Sequence, residues 1–304
     1  MKNNISNKSS KSKLLLLLAA IIWGSAFVFQ KEGGQVIGAF AFGGIRFFIG
    51  ASVLLPILFF QKQSYYQFPI KKTIFSGILI GSVLFLATSA QQIGINHTTV
   101  GKAGFITGFY MILTPILGIL FKQKTILNHW IGAGLTLIGL YLLSGKIDFS
   151  MGYGDFLVLI STIFWALQII LISKYAPNAN PILLSIVEFY TCSILSLITS
   201  GFAETTSISN VIDAIIPILF TGVLSTGIAF TLQVVAQKNL PATPAAIIFS
   251  SETLFAALAG WILLNEKMGV VQIIGCGFML LGIIFGQLNF SKFKNDQNHE
   301  ISTF

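Results

Sequence analysis

Apolar residues run along this chain in long blocks rather than in alternation. Ten blocks stand out, at about 14–31, 37–60, 73–93, 99–121, 127–145, 154–174, 181–200, 211–235, 242–264 and 268–289. Each approaches the ~17–25 residues that a helix needs to cross a bilayer. A segment in lipid must satisfy its own backbone hydrogen bonds, so helix is the expected form. Short joints such as Gly33-Gly34, Gly152-Tyr153-Gly154 and Pro177-Asn178 carry turn signals. The pattern predicts an all-α integral membrane protein with ten transmembrane helices, between a polar tail at 1–13 and another at 290–304.

Composition agrees with the pattern. Of 304 residues, 54% are hydrophobic and 9% are charged, against about 25% charged in a soluble domain. So little charge excludes a soluble enzyme, a nucleic-acid-binding domain and a receptor with a large extramembrane part. Lys2, Lys8, Lys11 and Lys13 ahead of the first block imitate a signal peptide, but no A-x-A-like cleavage site follows. The first block is therefore expected to stay as a spanning helix.

The net charge of +8 belongs to topology. With the N-terminus inside, 13 Lys fall in inner segments and three, Lys31, Lys146 and Lys267, in outer loops. The positive-inside rule then places both termini in the cytoplasm, and the expected setting is a bacterial inner (plasma) membrane. Two cysteines and three histidines form no spaced ligand set, so neither a metal nor a cofactor is expected.

The halves resemble each other. A shift of 142 carries Trp23 onto Trp165 and Arg46 onto Glu188. From Asn96 onward a shift of 143 carries Gly132, Gly134 and Gly139 onto Gly275, Gly277 and Gly282. Five spans per half is an odd number, so two inverted five-helix repeats are expected, at 14–145 and 154–289. That plan recurs in secondary transporters.

Several stretches carry a family resemblance. They are Ala20-Ile21-Ile22-Trp23-Gly24-Ser25-Ala26-Phe27, Gly44-Ile45-Arg46-Phe47, Ala103-Gly104-Phe105-Ile106-Thr107-Gly108 with Thr114-Pro115, and Ser250-Ser251-Glu252-Thr253-Leu254-Phe255-Ala256-Ala257 closing on Leu263-Leu264-Asn265-Glu266-Lys267. In that order they resemble the EamA-type branch of the drug/metabolite transporter superfamily, over about residues 14–289. The resemblance implies ten spans, a cavity between the halves, and export or exchange of small metabolites. Two departures stand out: Thr253 replaces a frequent proline, and Lys122-Gln123-Lys124 replaces a glutamate at the end of the fourth span.

The exceptional charges point to a solute path, because a charge in the membrane is costly unless paired or hydrated. Arg46, the one arginine, lies ~13 Å into its helix at 1.5 Å per residue. It either attracts a carboxylate or phosphate in a cavity or forms an internal ion pair. Glu188 lies nearer its helix end, which favours an internal contact. Glu252, with Ala256, Ala259 and Gly260 on its face, should look toward protein or cavity; it could take up a proton or meet a cationic group. Trp23 and Trp165 either stack on a solute or pack in the bundle. Gln91, Tyr110 and Gln168 are polar residues within spans. Lys102 reads as snorkelling to the outer interface, Glu266 and Lys267 as a helix end, and Pro115 and Pro244 as helix breakers or tolerated kinks.

The expected function is a secondary transporter, an exporter or exchanger of small organic metabolites such as amino acids, working by alternating access as a monomer or homodimer. The alternative is an importer or exchanger of a nucleotide-like cofactor such as S-adenosylmethionine. No nucleophile–base cluster and no H-E-x-x-H suggests an intramembrane enzyme, and no Walker motif suggests nucleotide hydrolysis. A channel usually shows a filter or charged ring.

Overall fold

The structure is a computed structural model. It describes residues 2–60, 68–123, 125–144, 151–263 and 269–288, with side chains omitted at 2–8 and 259–263. All regular structure among the described residues is helical. Among the described residues, eight helical segments are long and apolar enough to cross a membrane: α1 Ser9–Ile37, α2 Ala39–Phe60, α3 Ile70–Asn96, α4 Val100–Leu120, α6 Tyr153–Asn178, α7 Pro181–Ala203, α8 Ile215–Gln237 and α10 Val270–Gln287. Two shorter apolar helical segments are also present, α5 Leu127–Leu143 and α9 Ala242–Leu258. The protein is thus a multi-pass membrane protein, with large apolar side chains such as Phe60, Phe75, Ile119 and Phe202 exposed on its outside.

Small residues let the helices approach closely, the main route to association where lipid is as apolar as the side chains. α5 and α10 meet backbone to backbone. A Cβ added at Gly139 would lie 2.5 Å from the Gly275 carbonyl oxygen, and one at Gly132 would lie 2.6 Å from Gly286 Cα. Positions rise along one helix as they fall along the other, so the pair is antiparallel. α2 and α7 are also antiparallel. Ser193 Oγ donates to the Gly44 carbonyl at 2.8 Å, and the Ser52 and Tyr190 hydroxyls meet at 3.1 Å. α1 runs against α8, with Phe29 stacked on Phe220 at 4.1 Å. α3 runs against α6, where Gly94 faces Gly154 and Val158. The α1–α8 and α6–α3 contacts exchange when the two halves of the chain are exchanged.

Caps mark several helix starts. Asn180 Oδ1 accepts from the amides of Ile182 and Leu183 ahead of α7. Glu204, just past α7, accepts from the Phe40 and Ala41 amides at 2.9 and 2.7 Å and caps α2 from another helix. It occupies the space beside Gly38, whose φ of 92° suits glycine.

Some elements differ from the sequence reading. α4 is two helices, Val100–Thr107 and Tyr110–Leu120. The ninth block is also two, Ala242–Phe249 and Ser251–Leu263. Neither break is at a proline. Pro244 sits in the first turn, where its missing N–H costs nothing, and Pro115 lies inside its helix. The second break falls where the Ser250 and Ser251 hydroxyls bond back to the carbonyls of Ile247 and Ile248, a competition that bends helices. Within α8, residues Phe220–Phe230 form a wide π-helical run, a form frequent at functional sites. Lys102 does not snorkel freely: its ammonium meets the Asp155 carboxylate at 2.6 Å. The segment expected as a polar tail at 1–13 continues the first helix, which runs Lys2–Ile37. Lys62, Lys124, Lys146, Glu266, Lys267, Lys292 and Lys294, the tail at 290–304 and the end of the first repeat at 145 lie outside the described residues, as do the side chain of Ala259 and the surroundings of Gly260.

Candidate functional site

The helix pairs leave a cavity in the middle of the bundle. It holds about 510 Å³ of atom-free space, its mouth included. Residues from both halves of the chain line it: Trp23 and Gln30 from α1, Arg46 from α2 and Gln91 from α3 face Trp165, Gln168, Gln233 and Glu252 from the second half. Thr107 and Tyr110 flank the break in α4, and Ser225 comes from the wide run in α8. The break in α4 and the wide run in α8 thus put irregular backbone beside the cavity, where it can be satisfied locally.

An aromatic cluster forms one wall. The Trp23 ring lies 4.7 Å from Phe230 and 5.1 Å from Phe249, and the Trp165 ring stacks on Phe230 at 6.0 Å with 21° between planes. Phe47 continues the cluster, 5.9 Å from Phe230. Trp23 Nε1 donates to the Ser225 carbonyl at 3.3 Å.

The polar groups fall into three sets. Gln91 Nε2 donates to Thr107 Oγ1 at 3.0 Å. The Tyr110 hydroxyl donates to Glu252 Oε1 at 3.2 Å. Gln168 Nε2 donates to Glu188 Oε1 at 2.9 Å, while Gln233 Nε2 donates to Gln168 Oε1 at 3.0 Å. Arg46 stands apart. It is 3% exposed, its guanidinium lies 4.9 Å from the Phe47 ring centre and 5.5 Å from that of Phe42, and its Nε has no hydrogen-bond partner.

Of the eight residues singled out in the sequence, Trp23, Arg46, Gln91, Tyr110, Trp165, Gln168 and Glu252 line this one cavity. Glu188 does not line it. It sits fully buried behind the wall and holds Gln168 in place. Glu188 and Arg46, the repeat mates, do not pair with each other: Glu188 takes Gln168 instead. The sequence reading missed Gln30, Thr107, Ser225 and Gln233, as well as Phe27, Phe230 and Phe249. Gln233 carried a signal: the same shift of 142 that joins Trp23 to Trp165 joins Gln91 to Gln233. The others are ordinary apolar or small polar residues in a chain full of them.

The model of the EamA-like transporter family matches residues 10–145 and again 152–286. A protein of Archaeoglobus fulgidus named as an uncharacterized transporter is 33% identical over 90% of this chain and 84% of its own length. YoaV of Bacillus subtilis, also named as an uncharacterized transporter, is 25% identical over 93% of this chain and 99% of its own. A Chlamydia muridarum protein named as an S-adenosylmethionine/S-adenosylhomocysteine transporter is 22% identical over 88% of this chain and 89% of its own. A solved crystal structure shares the fold with a TM-score of 0.76 at 15% identity, covering 91% of this chain and 96% of that one.

Proposed function

The chain belongs to the EamA-like transporter family, and we propose that it is a secondary transporter, an exporter or exchanger of small organic metabolites such as amino acids. Its cavity is the solute site. One observation carries the reading: charged, amide and indole side chains from both halves converge on a single cavity inside a membrane bundle. Polar groups are costly there without a use.

The proposed architecture is ten spans in two inverted repeats, 14–145 and 154–289. The antiparallel α5–α10 and α2–α7 pairs and the doubled family match support it. The proposed setting is a bacterial plasma membrane with both termini cytoplasmic, on the lysine count, and a monomer or homodimer. Alternating access follows from the same plan, with the halves rocking about the cavity.

The test is counterflow in proteoliposomes. Preloading with unlabelled solute should accelerate entry of the labelled one. A flux indifferent to the trans solute would point to a channel and overturn the carrier reading. A second reading, import or exchange of a nucleotide-like cofactor such as S-adenosylmethionine, rests on the chlamydial relatives. The same assay decides it: labelled S-adenosylmethionine should enter only if that reading is right.

A further inference from the structure

The two halves of the chain resemble each other, yet their cavity groups are not equally satisfied. Trp23 and Trp165 are repeat mates. Trp23 Nε1 donates to the Ser225 carbonyl, whereas Trp165 Nε1 is buried with no acceptor. Arg46 and Glu188 are also mates. Glu188 Oε1 accepts from Gln168, whereas no hydrogen bond or ion pair holds the Arg46 guanidinium among the described residues, and its Nε is buried and unpartnered. In each pair one member holds a hydrogen-bond partner, Glu188 through one of its two oxygens with Oε2 left unpartnered, and the other is left as a vacant donor.

Both vacant donors belong to side chains lining the same cavity. They are joined through one aromatic cluster: Arg46 over Phe47, Phe47 beside Phe230, Phe230 stacked on Trp165. A buried guanidinium without a counter-charge is expensive, and breaking such a pair is among the costliest changes in a fold. The faces of Phe42 and Phe47 offset part of that cost. They supply no acceptor for the N–H groups. Buried donors are nearly always satisfied, and of the unpartnered buried side-chain atoms among the described residues these two are the ones on side chains that line the cavity.

We propose that Arg46 and the Trp165 indole N–H form a seat for an oxyanion of the transported solute, a carboxylate or phosphate-type group, with the solute's apolar body against the Trp23–Phe230–Phe249 wall. The inference rests on the reading of the cavity as the solute site. Guanidinium bonds to oxyanions are charge-assisted and geometrically selective, and an indole N–H can only donate. Glu252, held by Tyr110, lines the same cavity, so a cationic group elsewhere on the solute has a carboxylate to meet.

The test is calorimetric titration of the purified full chain in detergent with matched compounds: phenylpropionate against phenylpropionamide, phenylalanine against phenethylamine, and phenyl phosphate against phenol. The carboxylate and phosphate pairs separate the two oxyanion sources. We expect the oxyanion member of at least one pair to bind about tenfold tighter or more, the scale of a charge-assisted bond. Trp165→Phe, which keeps the ring and deletes the donor, should lose about tenfold in oxyanion affinity. Arg46→Gln should erase the preference, and Arg46→Lys should keep part of it. Equal binding of the neutral partners, no binding by any member, or unchanged oxyanion affinity in Trp165→Phe would overturn the seat. The transport reading fails separately. Counterflow of a neutral or cationic solute at the wild-type rate in Arg46→Gln sinks the seat and leaves the carrier, whereas no counterflow for any solute sinks the carrier.

Discussion

The Lys102 ammonium and the Asp155 carboxylate meet at 2.6 Å, joining the start of α4 to the start of α6 and so one half of the chain to the other. Asp155 is 3% exposed and takes two further donors, the Thr98 hydroxyl at 2.5 Å and the Gly152 amide at 2.9 Å. The Thr98 carbonyl in turn accepts from Lys31 at 2.5 Å. Three segments are thereby tied at one end of the bundle. Asp155→Ala leaves the three donors without their acceptor and should destabilise the protein by about 1–3 kcal/mol. Thermal unfolding of purified protein in detergent reads this. An unchanged midpoint would show that the contact is a solvated surface pair, of the kind worth little.

The glycines of α5 and α10 give a sharper contrast. A Cβ at Gly139 or Gly282 would lie 2.5 Å or closer to a neighbouring heavy atom, whereas nothing lies within 4 Å of one at Gly134 or Gly277. Gly139→Ala and Gly282→Ala should lower folded yield and thermal midpoint, since close backbone approach is what holds such pairs. Gly134→Ala and Gly277→Ala should match the wild type or gain slightly from reduced backbone freedom. Size-exclusion profiles and unfolding midpoints of the four variants decide it, and equal effects within the set would contradict the packing account.

Glu252 and Tyr110 make a pair at the cavity wall. Glu252→Gln keeps the shape but removes the ionisable carboxyl group, and it should cut counterflow about tenfold or more while the protein still folds. Tyr110→Phe removes only the hydroxyl and should cost less, on the order of the ~1 kcal/mol net worth of one hydrogen bond. If Tyr110→Phe were the more damaging, Glu252 would be a packing group and Tyr110 the contact.

Glu188 holds Gln168 from behind the wall, so Glu188→Ala should act through its neighbour. We expect a raised KM with kcat little altered, because the Gln168–Gln233 amide pair loses its anchor rather than the solute its partner. Measuring both parameters separates this from a direct contact, which would also lower kcat.

Much of this was legible in the sequence for a physical reason. In a chain that is 9% charged, each charge inside an apolar block must have a use, and Arg46 and Glu252 were found that way. The repeat joined Trp23 to Trp165 and marked the glycines of α5 and α10. What stayed hidden depended on distance in the chain. The Asp155 partner of Lys102 comes from the other half, so Lys102 read as a snorkelling lysine. Glu188 shares its register with Arg46, yet a side chain's direction around a buried helix does not follow from composition, and it points behind the wall. Thr107 and Ser225 line the cavity because backbone irregularities place them there, at the break in α4 and in the wide run of α8. No local signal distinguishes them from the other hydroxyl residues of the chain.

The central claim is that one cavity is reached in turn from each side of the membrane. Ser225→Cys places a thiol in the cavity lining, in a background where Cys192 and Cys276 are replaced by alanine. Labelling by a membrane-impermeant maleimide, applied to one side of oriented vesicles at a time, measures access. The account predicts modification from either side, slowed by transported solute, with no ion leak through the unlabelled protein. Modification from one side alone under all conditions, or from both together with a steady leak, would contradict it.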